Sequence, residues 1–567
     1  MVTVRRRPLK VVTDSEDDQS DSRQLRDLHL TNSSKRNKSH KSTPEEEEID
    51  DDEDEYEDED GNKNQSKKKK NNKNSGIAHL LPIHTITKPS VLSKEAPPEN
   101  YSGFLRLGML VLGASNIRLV IENWMKYGLL IGLPHSHIPF RDFGLFLFAW
   151  LCIPLSLIVT LVVEYGISQL AMVAATGKMD NGKPDDGDTA VLKTAVFQQQ
   201  FRKKLSLLEN VVGFTHFSHL VLLISFPSYI TYKHIYHPIV GSGLTLICLI
   251  TFLKLISYVL TNRQLRQAYL KAHRTRSNKT AADTNPTTYD NSQKITDNQK
   301  ASKTIINPES LYDKEAAYPN NINLKNLLYF IFAPTLCYQP SYPRSPKFRK
   351  TFFLKRVGEL CCCLAMMYIL SEQYAKPTLA NSIKALEDKD IIIIIERVLK
   401  LSTTAVVIWL LMFYALFHAT LNILAEVLRF GDRTFYLAWW NSGNLATYWR
   451  LWNRPVYLFF KRHVYIPFVQ MGVPPFVCQF LVFLVSAVLH EVLVGIPTHS
   501  ITGFAFFGML GQIPLIAITA LLEKWRGKGT ALGNTIFWVT FCVVGQPTIA
   551  LLYYYQWTAT HRISSTS

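Results

Sequence analysis

Phe146-Leu-Phe-Ala-Trp-Leu-Cys-Ile-Pro-Leu-Ser-Leu-Ile-Val-Thr-Leu-Val162 contains no charged side chain. A helix needs ~20 mainly apolar residues to cross a ~30 Å hydrocarbon layer, and this stretch nearly fills that length. Comparable runs follow at residues 244–260, 405–417 and 476–489. The mean hydropathy is nevertheless only +0.02, because residues 1–99 are almost entirely polar. The apolar content is therefore concentrated beyond them, and the pattern predicts an all-α polytopic membrane protein. Nine spans are expected, near residues 104–121, 143–164, 207–228, 239–260, 352–370, 391–428, 474–496, 503–522 and 534–555. The sixth is overlong, so it is expected to tilt or to extend out of the membrane.

The polar regions define the remaining organisation. Residues 45–60 are almost wholly acidic and residues 67–70 are lysines. Such blocks cannot bury a core, so residues 1–99 are expected to form a disordered cytosolic tail ahead of a membrane domain at 100–567. Within the tail, residues 78–92 carry the leucines and isoleucines suited to partner contacts. No apolar stretch precedes about Ser102, so the first span is expected to act as the insertion signal. Residues 277–308, rich in Asn, Thr, Ser and Lys, read as a disordered cytosolic insert.

The formal net charge is +16 despite the acidic run. No recognisable nucleic-acid module accompanies the spans, so nucleic acid is not the expected partner. Two explanations of the charge remain, a positive-inside bias of cytosolic loops and an anionic cytosolic substrate. Basic residues in 203–204, 263–276, 344–356, 450–462 and 524–528 all fall on one side of a nine-span topology. That places the N-terminus in the cytosol and the C-terminus in the lumen. Of the eight cysteines, Cys361, Cys362 and Cys363 are adjacent, and no pair has CxxC spacing. Adjacent side chains on a helix point ~100° apart, so no metal site is expected.

Polar side chains inside spans are expensive in lipid and normally face a bundle interior or a cavity. Those singled out are Arg118, Glu122, His216, His219, His418, Asn422, Glu426, His490 and Glu491. Arg118 and Glu122 share a helical face and read as an ion pair. His418, Asn422 and Glu426 recur every four residues, a stripe that either lines a cavity or joins helices by hydrogen bonds. His490 ends the run 480–489, relieved only by Ser486. Taken alone it suits packing at least as well as chemistry. Asn453, Gln512 in Gly508-Met-Leu-Gly-Gln-Ile-Pro514 and Gln546 in Gly545-Gln-Pro547 change that balance, because with His490 they can converge on one buried site.

The segment Phe430-Gly-Asp-Arg-Thr-Phe-Tyr-Leu-Ala-Trp-Trp-Asn441 resembles the FYxDWWN signature of the acyl-CoA:sterol and diacylglycerol acyltransferases. Phe435, Tyr436, Trp439, Trp440 and Asn441 carry the likeness, while Ala438 stands where the family has an acid. Trp449-Arg-Leu-Trp-Asn-Arg-Pro455, Arg462-His-Val-Tyr-Ile-Pro467 and Ser486-Ala-Val-Leu-His-Glu491 follow in family order. Asn116-Ile-Arg-Leu-Val-Ile-Glu-Asn123 and Phe332-Ala-Pro-Thr-Leu-Cys-Tyr-Gln-Pro-Ser-Tyr-Pro-Arg-Ser345 are similar to the type-1 diacylglycerol branch.

The resemblance implies a membrane-bound O-acyltransferase fold around a buried reaction chamber, with His490 as general base. It implies that Trp449, Trp452, Asn453 and Tyr465 contact acyl-CoA, whose phosphates lie near residues 450–463. Diacylglycerol would arrive from the bilayer. Acyl-CoA is a co-substrate, and no other cofactor or metal is expected. The resemblance further implies a homo-dimer or homo-tetramer, assisted by the N-terminal region, in the endoplasmic reticulum membrane and linked to lipid droplets.

The chemistry agrees with that assignment. A thioester is already activated, so the remaining tasks are to deprotonate an alcohol and hold it against the carbonyl. Histidine, with an ordinary pKa of ~6.5, suits the proton transfer. The amides of Asn453, Gln512 and Gln546 suit the orientation of the thioester or its oxyanion. Glu491, adjacent on a helix, points elsewhere. A sterol acyltransferase is the alternative within this chemistry, and a transporter is the alternative outside it. The transporter lacks support from an internal repeat or paired broken helices. No G-x-S-x-G elbow occurs, and the H-x4-D pattern at His137–Asp142 is degenerate.

Overall fold

The computed structural model describes residues 120–132, 139–176, 188–283, 316–527 and 531–566, with Gly113 and Ile117; residues 176, 188–203, 206, 276–283, 531 and 560–566 are described by backbone alone. The expected tail, Arg118 and residues 284–308 lie outside the described residues, and Glu122 is exposed.

Four helices form the first group: α1 (Phe140–Trp150), α2 (Cys152–Thr176), α3 (Asp188–His234) and α4 (Pro238–Asp283). Pro154 falls in the first turn of α2, where a missing N–H breaks no helical bond. Because α4 runs to Asp283, the opening of the expected insert, residues 277–283, is helical. Helix α4 is the most enclosed of the long apolar helices. Its Leu244, Leu255 and Tyr258 interlock with Leu223 and Ile235 from the end of α3 and beyond, all fully buried. Asp142, in the first turn of α1, is 1% exposed and accepts from the backbone N–H groups of Tyr236 and His237 at 2.9 and 2.8 Å. It therefore secures the α3–α4 turn, a structural role for that H-x4-D aspartate.

Two groups of buried charge were missed in the sequence. Lys254, 4% exposed in α4, donates to the carbonyls of Phe330, Ile331 and Ala333 at 3.0, 2.8 and 2.6 Å. These carbonyls end α5 (Leu324–Phe332), where a helix lacks internal donors and carries partial negative charge. Glu164, fully buried, receives Arg266 at 2.9 Å and lies 3.2 Å from His216, while Arg266 also donates to Glu209 at 3.1 Å. Buried ions persist when paired in this way. His216 thus belongs to a network joining α2, α3 and α4, and His219 bonds Thr160 on α2 at 3.1 Å.

The second group comprises α6 (Lys350–Leu370), α7 (Ile391–Phe413), α8 (Leu421–Val427), α9 (Leu445–Leu451), α10 (Arg454–Phe460), α11 (Ile466–Gln470), α12 (Pro475–Gly495), α13 (Phe504–Leu510), α14 (Gln512–Arg526), α15 (Ala531–Phe537) and α16 (Gln546–Thr566). Asp390 caps α7 by accepting from the N–H groups of Ile392 and Ile393. The isoleucines that follow include Ile391 and Ile392, 70% and 81% exposed. Such bare apolar surface is uncharacteristic of a water-facing helix and suits contact with lipid. Wide π-helical turns occupy Ser371–Ala375, Tyr414–Thr420, Lys461–Tyr465 and Trp538–Gly545. No sheet forms among the described residues; a single bridge pairs Arg344 with Phe430.

Six helices among the described residues are long and apolar enough to cross a membrane: Phe140–Ala175, Leu207–His234, Pro238–Thr275, Pro475–Gly495, Phe504–Arg526 and Leu532–Ala559. They coincide with six of the nine expected spans. The expected spans at 352–370 and 391–428 are helical along nearly all their length. Glu396, Arg397 and Lys400 lie within α7 and interrupt its apolar character.

Candidate active site

His490 stands in the last third of α12, and its neighbour on the preceding turn fixes its chemistry. Its Nδ1 lies 2.7 Å from the carbonyl oxygen of Ser486. A carbonyl only accepts, so Nδ1 carries the proton and donates. The neutral ring then keeps its lone pair on Nε2, the form a general base requires. No described protein group bonds Nε2. The side chain is exposed, so Nε2 is open to a bound group.

Glu491 explains why the neighbouring helices hold their places. One of its oxygens accepts from Gly503 N–H at 2.8 Å; the other accepts from Phe506 N–H at 3.1 Å and Tyr553 O–H at 2.8 Å. The carboxylate therefore sits on the N-terminal end of α13, as the helix dipole favours, and ties α12 and α13 to α16. Gly495 accommodates this arrangement, since a Cβ there would lie 2.8 Å from Glu491 Oε1. As expected from its position, Glu491 points away from His490. The sequence did not reveal that it fastens three helices.

The three amides sit at element junctions. Asn453 precedes α10 and caps it, its side chain accepting from Val456 N–H at 3.3 Å. Gln512 opens α14 and donates to the Gly508 carbonyl at 3.2 Å. Gln546 follows the π-helical turn Trp538–Gly545, and its buried Oε1 has no protein partner. None of the four side chains bonds another. Their helices are nonetheless packed together: Val482 and Leu489 of α12 meet Phe459 and Phe460 of α10, and Phe483 meets Trp449 edge-on at 6.0 Å.

The signature residues form an aromatic core. Trp439 is 2% exposed and contacts Phe413 at 5.0 Å, Trp409 at 5.4 Å and Tyr448 at 5.9 Å between ring centroids. Phe435 is buried beside Ala425 and Phe430. Trp452 stacks on Tyr448 at 5.9 Å and meets Phe417 edge-on at 5.3 Å. Trp449 and Trp452 thus pack on this core. Trp440 and Asn441 are exposed, and Asn534 of α15 donates to the carbonyls of Trp440 and Ser442 at 2.9 and 3.1 Å. Ala438 is exposed at the start of the 3-10 turn Trp439–Asn441 and supplies no side-chain cap. Asp432 does not replace the missing acid; it accepts from Thr434 N–H at 3.1 Å.

The His418 stripe joins helices. Arg356 donates to His418 Nε2, so Nδ1 carries the proton and donates to Tyr436 Oη at 2.7 Å. Asn422 donates to the His418 carbonyl at 2.7 Å. Glu426, 1% exposed, binds Arg349 at 2.9 Å and Arg433 at 2.6 Å. Both nitrogens of His418 are therefore engaged, in contrast with His490.

The basic stretch 450–463 is not a loop. It comprises the end of α9, helix α10 and most of the π-helical turn Lys461–Tyr465. Arg462 donates to the Tyr338 carbonyl at 3.2 Å, and Tyr465 ends the turn. His463 lies outside the membrane-crossing helices; burial and the adjacent Arg462 charge push its pKa down to about 4.

The chain is similar in sequence to known proteins. The chain is 34% identical over 479 residues to diacylglycerol O-acyltransferase 1C of Glycine max, covering 84% of this chain and 79% of that protein. It is 36% identical over 479 residues to diacylglycerol O-acyltransferase 1 of Arabidopsis thaliana, covering 84% and 77%. Identity to diacylglycerol O-acyltransferase 1 of Dictyostelium discoideum is 34% over 469 residues, covering 82% and 64%. Residues 235–556, the stretch holding His490, the three amides and the aromatic core, match the model of the membrane-bound O-acyltransferase family, and the chain belongs to that family.

Proposed function

We propose that the chain is an acyl-CoA:diacylglycerol O-acyltransferase, which moves a fatty acyl group from the thioester to the free hydroxyl of 1,2-diacylglycerol to give triacylglycerol. The carrying observation is His490, whose Nδ1–H donates to Ser486 while Nε2 of the exposed ring is bonded by no described protein group. Its family and its similarity to relatives named diacylglycerol O-acyltransferase support the substrate class.

Nε2 accepts the proton of the diacylglycerol hydroxyl as its oxygen attacks the thioester carbon. The resulting oxyanion collapses, the C–S bond breaks, and the CoA thiolate takes the proton back from the imidazolium. The amides of Asn453, Gln512 and Gln546 stabilise the oxyanion and orient the thioester. An enclosed site also restrains competing hydrolysis. Acyl-CoA contacts Trp449, Trp452, Asn453 and Tyr465, entering from the cytosolic side, while diacylglycerol enters from the bilayer. The protein works in the endoplasmic reticulum membrane as a homo-dimer or homo-tetramer, with its N-terminus cytosolic and its C-terminus lumenal.

The test is incubation of purified protein with labelled acyl-CoA and diacylglycerol, a sterol or no alcohol. Label is expected in triacylglycerol. Label appearing only in steryl ester, or only in free fatty acid, overturns the assignment.

A further inference from the structure

Tyr338, fully buried in the connection between α5 and α6, is held from both sides of its backbone. Its N–H donates to Ser257 Oγ on α4 at 2.8 Å, and Ser257 lies 2.7 Å from His463 Nε2. Its carbonyl accepts from Arg462 at 3.2 Å. Adjacent residues of one π-helical turn thus hold the same buried residue, one directly and one through a serine. Tyr338 is itself fixed: its hydroxyl donates to Asn326 at 2.9 Å, accepts from Asn321 at 3.0 Å, and its ring contacts Tyr258 at 4.6 Å.

A backbone N–H can only donate, so Ser257 Oγ accepts from Tyr338. The hydroxyl keeps its hydrogen and a second lone pair, so it bonds His463 Nε2 in either neutral tautomer of the ring. Phe459 and Phe460, just before the turn, pack against Leu253 of α4 and against Leu336. The turn is therefore anchored by apolar contacts at its entrance and by polar bonds at its centre. Local π-helix commonly marks a functional segment, and here it is fastened to the most enclosed helix.

We propose that Ser257 and His463 are positioning residues for acyl-CoA, holding the turn Lys461–Tyr465 in the shape that receives the acyl donor. This rests on the assignment of Trp449, Trp452, Asn453 and Tyr465 to acyl-CoA made above. Neither side chain takes part in the transfer step, so their loss acts on donor binding and leaves the His490 chemistry in place.

The test uses the purified full-length protein, with Ser257→Ala, His463→Leu, His463→Gln and the double variant Ser257→Ala/His463→Leu. A net hydrogen bond of about 0.5–1.5 kcal/mol corresponds to roughly a 2- to 12-fold effect. KM for acyl-CoA is expected to rise by that factor in Ser257→Ala and His463→Leu, while kcat and KM for diacylglycerol stay within twofold. His463→Gln, which keeps an acceptor, should recover most of the loss. The double variant should be no worse than Ser257→Ala, because that change already removes the Ser257–His463 bond together with the acceptor of Tyr338 N–H. Binding of a non-reactive acyl-CoA thioether analogue should weaken in parallel. If Ser257→Ala does not fold, His463→Leu and His463→Gln decide alone. Unchanged KM and analogue affinity in the folded variants, or additive losses in the double variant, overturn the proposal. Absence of wild-type transfer to diacylglycerol, with analogue binding still weakened by the variants, instead removes the acceptor assignment and keeps the positioning role.

Discussion

Two helical histidines differ in how many of their nitrogens the protein uses. His418 is engaged at both, by Arg356 and Tyr436, whereas His490 is engaged only at Nδ1. Replacing His490 with Ala removes the unengaged base, a contribution typically worth ~10²–10⁴ in rate. Turnover should fall by that factor while binding of a non-reactive acyl-CoA analogue persists. His418→Ala should instead lower the melting temperature and reduce turnover only in part. Wild-type turnover by a folded His490→Ala protein refutes the general-base assignment. His463 yields a pH prediction. Its folded pKa of about 4 lies below the ordinary ~6.5 of imidazole, so the folded protein binds fewer protons there. Its contribution to stability is complete above about pH 6.5 and declines as pH falls toward 4. A melting curve series over that window should show a steeper acid loss in wild type than in His463→Gln; parallel curves contradict it. The sequence pointed to His490 through a motif and its neighbours. It could not reveal the Ser486 bond, because tautomer and accessibility depend on helix geometry and on what surrounds the ring.

At the scale of elements, a single carboxylate fastens the helices that carry the site. Glu491 joins α12 to the start of α13 and to Tyr553 of α16, while Gln512 and Gln546 stand at the starts of α14 and α16. Glu491→Ala strips the acceptor from two backbone N–H groups and a hydroxyl, each such loss costing about 1–3 kcal/mol when buried. Tyr553→Phe removes one of its three donors and the acceptor of Ala505 N–H, which bonds Tyr553 Oη at 3.1 Å, but leaves the Gly503 and Phe506 bonds to Glu491 intact. The melting temperature should therefore fall much further for Glu491→Ala than for Tyr553→Phe, and equal falls contradict the fastening role. The long apolar helices were legible because ~20 uncharged residues leave few alternatives in lipid. The signature motif was legible as a pattern, but its core role was not, since Trp439 gains meaning only beside Trp409, Phe413 and Tyr448. Lys254 and Glu164 were overlooked because their partners are distant in sequence; Lys254 reaches carbonyls 76 to 79 residues away.

At the scale of the whole molecule, apolar surface and charge are sharply divided along the chain. The tail 1–99 holds an acidic block and a lysine run, while the family match covers residues 235–556. The range of the family match contains the whole His490 site. A segment of such composition cannot bury enough apolar surface to offset the entropy of ordering itself. Under the homo-oligomer proposed above, its contribution is expected through contacts between copies, for which residues 78–92 supply leucines and isoleucines. Deletion of residues 1–90 should leave kcat within about threefold of wild type, because the whole His490 site lies elsewhere in the chain; threefold is roughly 0.65 kcal/mol in barrier, well below removal of a catalytic base. Size-exclusion chromatography with light scattering should show a shift of the truncated protein toward smaller species. A folded truncation that retains the wild-type assembly yet loses transfer would place part of the catalytic machinery in the tail.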